Sequence, residues 1–152
     1  MFVPQLEETL VEEKVRRNTS VPAGTPVGDV VKLMREENVG SVAILNEDKK
    51  LVGLFTERNL LSRVLLTQLE PTTPIDEVMI KEVVAVQAKS SMDFAFVVAY
   101  KKNFRYIPVV DEEHRFVGFL EARDFVRMLD IFGSIYTTMP DNELSVENRE
   151  GA

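Results

Sequence analysis

Shifted against itself by 65 residues, the chain aligns Val39–Leu65 with Phe104–Asp130 without a gap, and the apolar positions coincide. Whatever unit the first copy folds into, the second must build again, and 152 residues suffice for one ordinary core or two small subdomains that share one. Ser41-Val42-Ala43-Ile44-Leu45 matches Tyr106-Ile107-Pro108-Val109-Val110, and Leu51-Val52-Gly53-Leu54-Phe55 matches Phe116-Val117-Gly118-Phe119-Leu120. Polar residues Asn46–Lys50 and Asp111–Arg115 separate these runs, so each copy reads as strand, turn, strand.

Upstream of each hairpin, Val27, Val30, Val31 and Met34 recur with helical spacing, and the same shift carries them onto Met92, Ala95, Phe96 and Ala99. Both segments are expected to be amphipathic helices. Thr25-Pro26 supplies an N-cap and a proline at the first helical position, and Ser90 or Ser91 caps the second copy. Downstream, Leu60, Leu61, Val64 and Leu65 form another stripe, matched by Phe125, Val126 and Leu129. Thr19–Val21 and Val83–Val86 are β-branched and supply a first strand to each copy. The expected fold is therefore α+β, two βαββα units, with the helix-breaking Glu70-Pro71-Thr72-Thr73-Pro74 between repeats at residues 18–70 and 74–133. Residues 1–17 contribute a short helix over Pro4–Val15 with Leu6, Leu10 and Val11 on one side, and the acidic residues 134–152 read as a disordered tail.

Charge and composition narrow the function. The net charge is −7, and four acids beyond Met139 are countered only by Arg149, so the body is mildly acidic and carries no Lys/Arg-rich stripe. Neither nucleic acid nor an anionic membrane is an expected partner. The absence of cysteine excludes disulfides and thiolate chemistry, and no apolar run approaches the ~18 residues of a membrane span, so a soluble cytoplasmic protein is expected. His114 lies in a polar turn, and no GxxxxGK[ST] loop or His/Cys cluster accompanies it, so the chain reads as a non-enzyme with no metal site and no required cofactor.

With Gly-Leu-Phe-Thr-Glu-Arg-Asn at 53–59 and Gly-Phe-Leu-Glu-Ala-Arg-Asp at 118–124, the duplicated unit resembles the CBS-domain pair, or Bateman module, over Thr19 to about Phe132. That resemblance implies two repeats packed about a pseudo-twofold axis, with two clefts for adenosine derivatives such as AMP, ADP, ATP or S-adenosylmethionine. It also implies a flat homodimer that signals to an unidentified protein partner; the apolar helix faces at 60–65 and 125–132 serve either that dimer or the packing between the two repeats.

The family motif runs glycine, two apolar residues, Thr or Ser, two variable residues, then Asp, and both copies depart from it. In the first copy Thr56 and Asn59 occupy the hydroxyl and carboxylate positions with Arg58 between them; they either meet a phosphate and ribose or cap their own helix. In the second, Asp124 is in place for a ribose with Arg123 beside it, but Glu121 replaces the hydroxyl and repels a phosphate unless a cation or a protonation change offsets it; an ionised Glu121 favours an adenosyl group of low negative charge. Alternatively Asp124 caps its helix or pairs with Arg123. Arg105-Tyr106-Ile107-Pro108 resembles the family's phosphate-facing arginine stretch, and Arg105 either serves a nucleotide or pairs with Glu121 and fills the cleft. Val84, Ile107 and Pro108 would wall one cleft, Val21 and Val42 the other, although buried β-branched residues more often serve as core packing than as pocket wall. The competing function is a ligand-free dimerisation module whose clefts are closed by its own side chains.

Overall fold

The computed structural model describes residues 4–128. The expected tail at 134–152, the end of the second repeat, and Leu129, Ile131 and Phe132 of the expected dimer face lie outside them. A short helix α1 (Pro4–Glu8) leads into repeat one: β1 (Ser20–Pro22), α2 (Val27–Glu37), β2 (Ser41–Leu45), β3 (Leu51–Thr56) and α3 (Glu57–Asn59), which runs on as a π-helical stretch, Leu60–Leu65. Repeat two follows with β4 (Val86–Gln87), α4 (Met92–Lys102), β5 (Tyr106–Val110), β6 (Phe116–Glu121) and α5 (Ala122–Met128).

Each repeat is a three-stranded sheet, β1-β2-β3 and β4-β5-β6, with the first pair parallel and the second antiparallel. The duplication extends to local irregularities. A register slip falls between Ile44 and Leu45 and again between Val109 and Val110. Asn38 and Asn103 end α2 and α4 in the left-handed conformation, and Lys49 and His114 adopt it in the two hairpin turns; asparagine tolerates that backbone through its short polar side chain.

Val27, Val30 and Met34 are buried under α2, as Met92, Ala95 and Ala99 are under α4, whereas Phe96 sits at the edge, edge-on to Phe125 with ring centroids 5.5 Å apart. Several sequence expectations shift. Thr25 is not the cap: Pro26 precedes the helix, and Thr25 Oγ1 donates to Pro22 O. Ser91 occupies the cap position of α4, but its hydroxyl bonds Asp93 instead of a helical N–H. Only Val86 of the expected Val83–Val86 strand pairs, with Val109; Val83 turns into the packing between repeats. In the π-helical stretch the ladder runs i→i−5, as in Leu66 N to Leu61 O, so a stripe spaced for 3.6 residues per turn splays: Val64 is buried while Leu61 and Leu65 are about three-fifths exposed.

The sheets meet across a pseudo-twofold axis. Leu51 N donates to His114 O and, at the symmetry-related position, Phe116 N donates to Lys49 O. Ala43, Leu45, Leu51 and Leu54 of repeat one pack with Val110 and Phe119 of repeat two. Strands β2 and β5 are thus covered on both faces, by helices on one side and the other repeat on the other, which is why they read as continuous apolar runs.

The segment preceding each repeat packs into the other one. Val11, in a 3-10 turn at Val11–Glu13, is fully buried in the core of repeat two, and Ile75, in the equivalent turn Ile75–Glu77, is fully buried with Val78 and Met79 in the core of repeat one. This exchange also explains why the expected helix over Pro4–Val15 stops at Glu8. The backbone of Thr9–Val11 is spent on repeat two, through Met92 N to Thr9 O and Val11 N to Ser90 O. The exchanged segments pass close over the hairpin glycines: a Cβ on Gly53 would collide with Met79 Sδ, and one on Gly118 with Val15 Cγ1.

Candidate functional site

Both strand-to-helix turns, β3–α3 and β6–α5, close on themselves, but with different remainders. In the first, Thr56 N and Thr56 Oγ1 each donate to Asn59 Oδ1 at 3.0 Å, and Asn59 N donates to Thr56 Oγ1 at 3.4 Å. The hydroxyl and the amide oxygen thus serve each other, Asn59 is buried, and Arg58 points to solvent.

In the second turn Glu121 N donates to Asp124 Oδ2 at 2.9 Å, the same helix-start contact. Asp124 is only 4% exposed, and its other oxygen, Oδ1, has no hydrogen-bond partner among the described residues. Arg16 Nε approaches to 3.8 Å, too far for a hydrogen bond. A buried carboxylate oxygen without a donor is uncommon and invites one.

Glu121 does not pair with Arg105. Its Oε2 meets Arg123 Nε at 2.6 Å and its Oε1 lies 3.6 Å from Arg17 Nε. Arg105 is exposed, its guanidinium 5.8 Å from the Tyr106 ring centroid. Arg123 is likewise committed to Glu121 and not to Asp124. These side chains surround a cavity of about 310 Å³ on the pseudo-twofold axis, where Gly40 and Glu57 of repeat one face Arg105, Tyr106, Glu121 and Arg123 of repeat two. Tyr106 reaches across the axis: a Cβ on Gly40 would collide with its hydroxyl.

Other expected residues stand elsewhere. Ile107 is fully buried in the core of repeat two and Pro108 is buried opposite Phe119. Val21 pairs with Ile44, three positions along β2 from the Ser41–Thr56 pair, so roughly 10 Å of strand separates it from Thr56. Val84 is 39% exposed just ahead of β4. Sequence reasoning missed Arg16 and Arg17, which approach Asp124 and Glu121. Their signal was the basic cluster Lys14-Val15-Arg16-Arg17 that follows the acids of the leading segment. Among the described residues, no group of three or more His, Cys, Asp or Glu side chains is placed to hold a metal, and no helix is long and apolar enough to cross a membrane.

The CBS domain family profile matches the chain twice, at residues 11–66 and 75–131. An uncharacterised protein of Methanopyrus kandleri is 30% identical over 122 residues, 78% of this chain and 61% of that one. The chain spans between 40% and 65% of the length of the first four curated relatives it matches. Among solved structures, the CBS domain pair of protein MJ0100, in complex with 5-methylthioadenosine and S-adenosyl-L-methionine, superposes with a TM-score of 0.69 at 25% identity, covering 83% of this chain and 97% of that one. Hypoxic Response Protein I, with two coordinated zinc ions, gives 0.71 at 28% identity over 80% of this chain and 99% of that one. Two copies of one βαββα unit, each matched by the same profile and joined about the axis as in solved pairs, make the chain a tandem member of the CBS domain family.

Proposed function

We propose that this chain is a regulatory module, not an enzyme, that takes an adenosine derivative in its second cleft and passes the resulting change in repeat–repeat geometry to a partner. The observation that carries the reading is Asp124 Oδ1, a buried carboxylate oxygen with no donor among the described residues. A ribose hydroxyl supplies the missing donor, and Asp124 Oδ2 stays on Glu121 N. The MJ0100 pair, in complex with 5-methylthioadenosine and S-adenosyl-L-methionine, supports an adenosyl ligand, and the candidates we propose are AMP, ADP, ATP and S-adenosylmethionine. Signalling requires only that the ligand contact both repeats unequally in two arrangements; the cavity on the axis, lined by Glu121 and Arg123 next to Asp124 though not by Asp124 itself, touches both. The assembly we propose is a cytoplasmic homodimer; Leu61 and Leu65 of the expected face are exposed, but Phe125 of the expected 125–132 face is buried, so we place Phe96 and Tyr100 on the apolar surface of the second repeat instead.

A thermal-shift titration tests this with adenosine, AMP, ADP, ATP and S-adenosylmethionine. At a ligand concentration one hundred times Kd, the native state gains about 2.7 kcal/mol. The stabilisation should vanish in Asp124→Ala and survive in Asn59→Ala. The Thr56–Asn59 closure favours a second reading, an interaction module with clefts shut by its own side chains. No stabilisation of the folded wild type by any ligand would select it.

A further inference from the structure

We infer that Glu121 acts as an internal competitor for phosphate, so that the second cleft selects adenosyl ligands with a neutral or cationic 5′ substituent over nucleotides. The inference rests on the proposal that this cleft binds adenosine derivatives, and it adds the charge the ligand must carry.

Three guanidiniums line the cavity on the axis: Arg17, Arg105 and Arg123. They are the groups a phosphate would seek, because a planar guanidinium meets a phosphate with paired, charge-assisted hydrogen bonds. Two of them are already engaged by one carboxylate. Glu121 Oε2 binds Arg123 Nε at 2.6 Å, and Oε1 faces Arg17 Nε at 3.6 Å, an ion pair longer than a hydrogen bond. Glu121 is 17% exposed where its partners are 41% and 54% exposed, so the anion sits inside and the cations close over it. Glu57 is the cavity's other acid, so three arginines against two glutamates leave a charge of +1, and removing the Glu121 charge raises it to +2.

Arg105 is the one lining guanidinium without a carboxylate partner among the described residues, so a phosphate that seeks a second cation must draw Arg17 or Arg123 away from Glu121 and then lie against the carboxylate it has displaced. A thioether or sulfonium group makes neither demand. At the matching position of repeat one the residue is Thr56, a neutral hydroxyl that holds no arginine. The substitution therefore supplies the anion from the protein where the family motif leaves room for the ligand's.

Isothermal titration of the full chain with 5′-methylthioadenosine, S-adenosylmethionine, AMP and ATP tests this. Wild type should bind the first two at least tenfold more tightly than AMP or ATP. Glu121→Gln keeps the shape and removes the charge; it should tighten AMP and ATP at least tenfold and change 5′-methylthioadenosine less than threefold. Glu121→Thr, which restores the residue type of repeat one, should act in the same direction and stands in should the glutamine variant fail to fold. Wild-type binding of ATP as tight as that of 5′-methylthioadenosine, or nucleotide affinities within threefold of wild type in both variants, overturns the inference and leaves the adenosyl proposal standing. No binding of any of the four ligands to folded wild type overturns both.

Discussion

The two repeats share strand pairing, hairpin turns and helix caps, and differ in the side chains that face the axis and in the helix after each hairpin, π-helical in the first copy and α-helical in the second. Register, strand slips, left-handed asparagine caps and hairpin turns recur in both copies. Across the same frame Gly40 becomes Arg105, Ser41 becomes Tyr106, Thr56 becomes Glu121 and Asn59 becomes Asp124. The changes are coupled: Tyr106 takes the space that Gly40 leaves, and Glu121 holds arginines that Thr56 has no use for. The outer helix faces diverge too, with Lys32 and Arg35 on α2 where α4 carries Val97 and Tyr100. A duplicated unit thus keeps what the chain path requires, and each copy becomes the partner the other needs.

The largest expected effect comes from breaking the exchange of leading segments. Ile75→Ala should cost about 3 to 4 kcal/mol, in the range for emptying a fully buried isoleucine site. Its hydrogen-exchange signature should appear in β1–β3 of repeat one, although Ile75 leads repeat two in sequence. Val11→Ala, with fewer atoms removed, should cost about 2 kcal/mol and loosen β5 and β6. Loss of protection confined to the repeat that follows each residue in sequence would show that the segments do not cross over.

A second comparison sharpens the first, because the two hairpin glycines lie under the exchanged segments with different neighbours. A Cβ on Gly118 would strike Val15 Cγ1 and come within 2.6 Å of Arg17 O, a backbone atom that also accepts Phe119 N. On Gly53 the three nearest atoms all belong to the Met79 side chain, which can rotate away. Gly118→Ala should therefore cost about 2 to 3 kcal/mol and Gly53→Ala about 1 kcal/mol, read from urea midpoints. Equal costs would mean that the leading segment yields as easily as a methionine.

The duplication made most of the fold legible, because 65-residue register and hydrophobic period carried strands and helices together. The crossing of the leading segments was not legible. Val11-Glu12-Glu13 matches Ile75-Asp76-Glu77 at a shift of 64, one residue off the main register, and nothing local says which core receives an isolated valine or isoleucine. The Thr56–Asn59 and Glu121–Asp124 contacts were readable from their i, i+3 spacing, since a cap is a local interaction. The hold of Arg17 on Glu121 was not, because it joins opposite ends of the chain through tertiary packing. Arg105, which the sequence offered to Glu121, lies 5.8 Å from the ring centroid of its own neighbour Tyr106, and Arg123 holds the carboxylate instead.

The smallest expected effect separates charge from geometry in the two hairpin turns. Asn46 Oδ1 accepts from Asp48 N and Lys50 N at 3.0 Å each, and Asp111 Oδ1 accepts from Glu113 N and Arg115 N at 3.0 and 2.8 Å, so one turn geometry is built once by an amide and once by a carboxylate. Only the second titrates. Partial desolvation opposes ionisation there, but the Arg115 backbone N–H, its guanidinium 2.9 Å away and its charge, with Glu113 N–H, outweigh it and hold the Asp111 carboxyl below its ordinary value. A carboxyl depressed in the folded state stabilises at pH values above its unfolded pKa of about 3.9 and loses that contribution as pH falls through the lower folded value. Asp111→Asn, which copies the amide of repeat one, should therefore lower Tm slightly at pH 7, with the gap to wild type closing below about pH 4. A gap unchanged between pH 7 and pH 2.5 would mean that the turn is held by hydrogen-bond geometry alone, as Asn46 holds its counterpart.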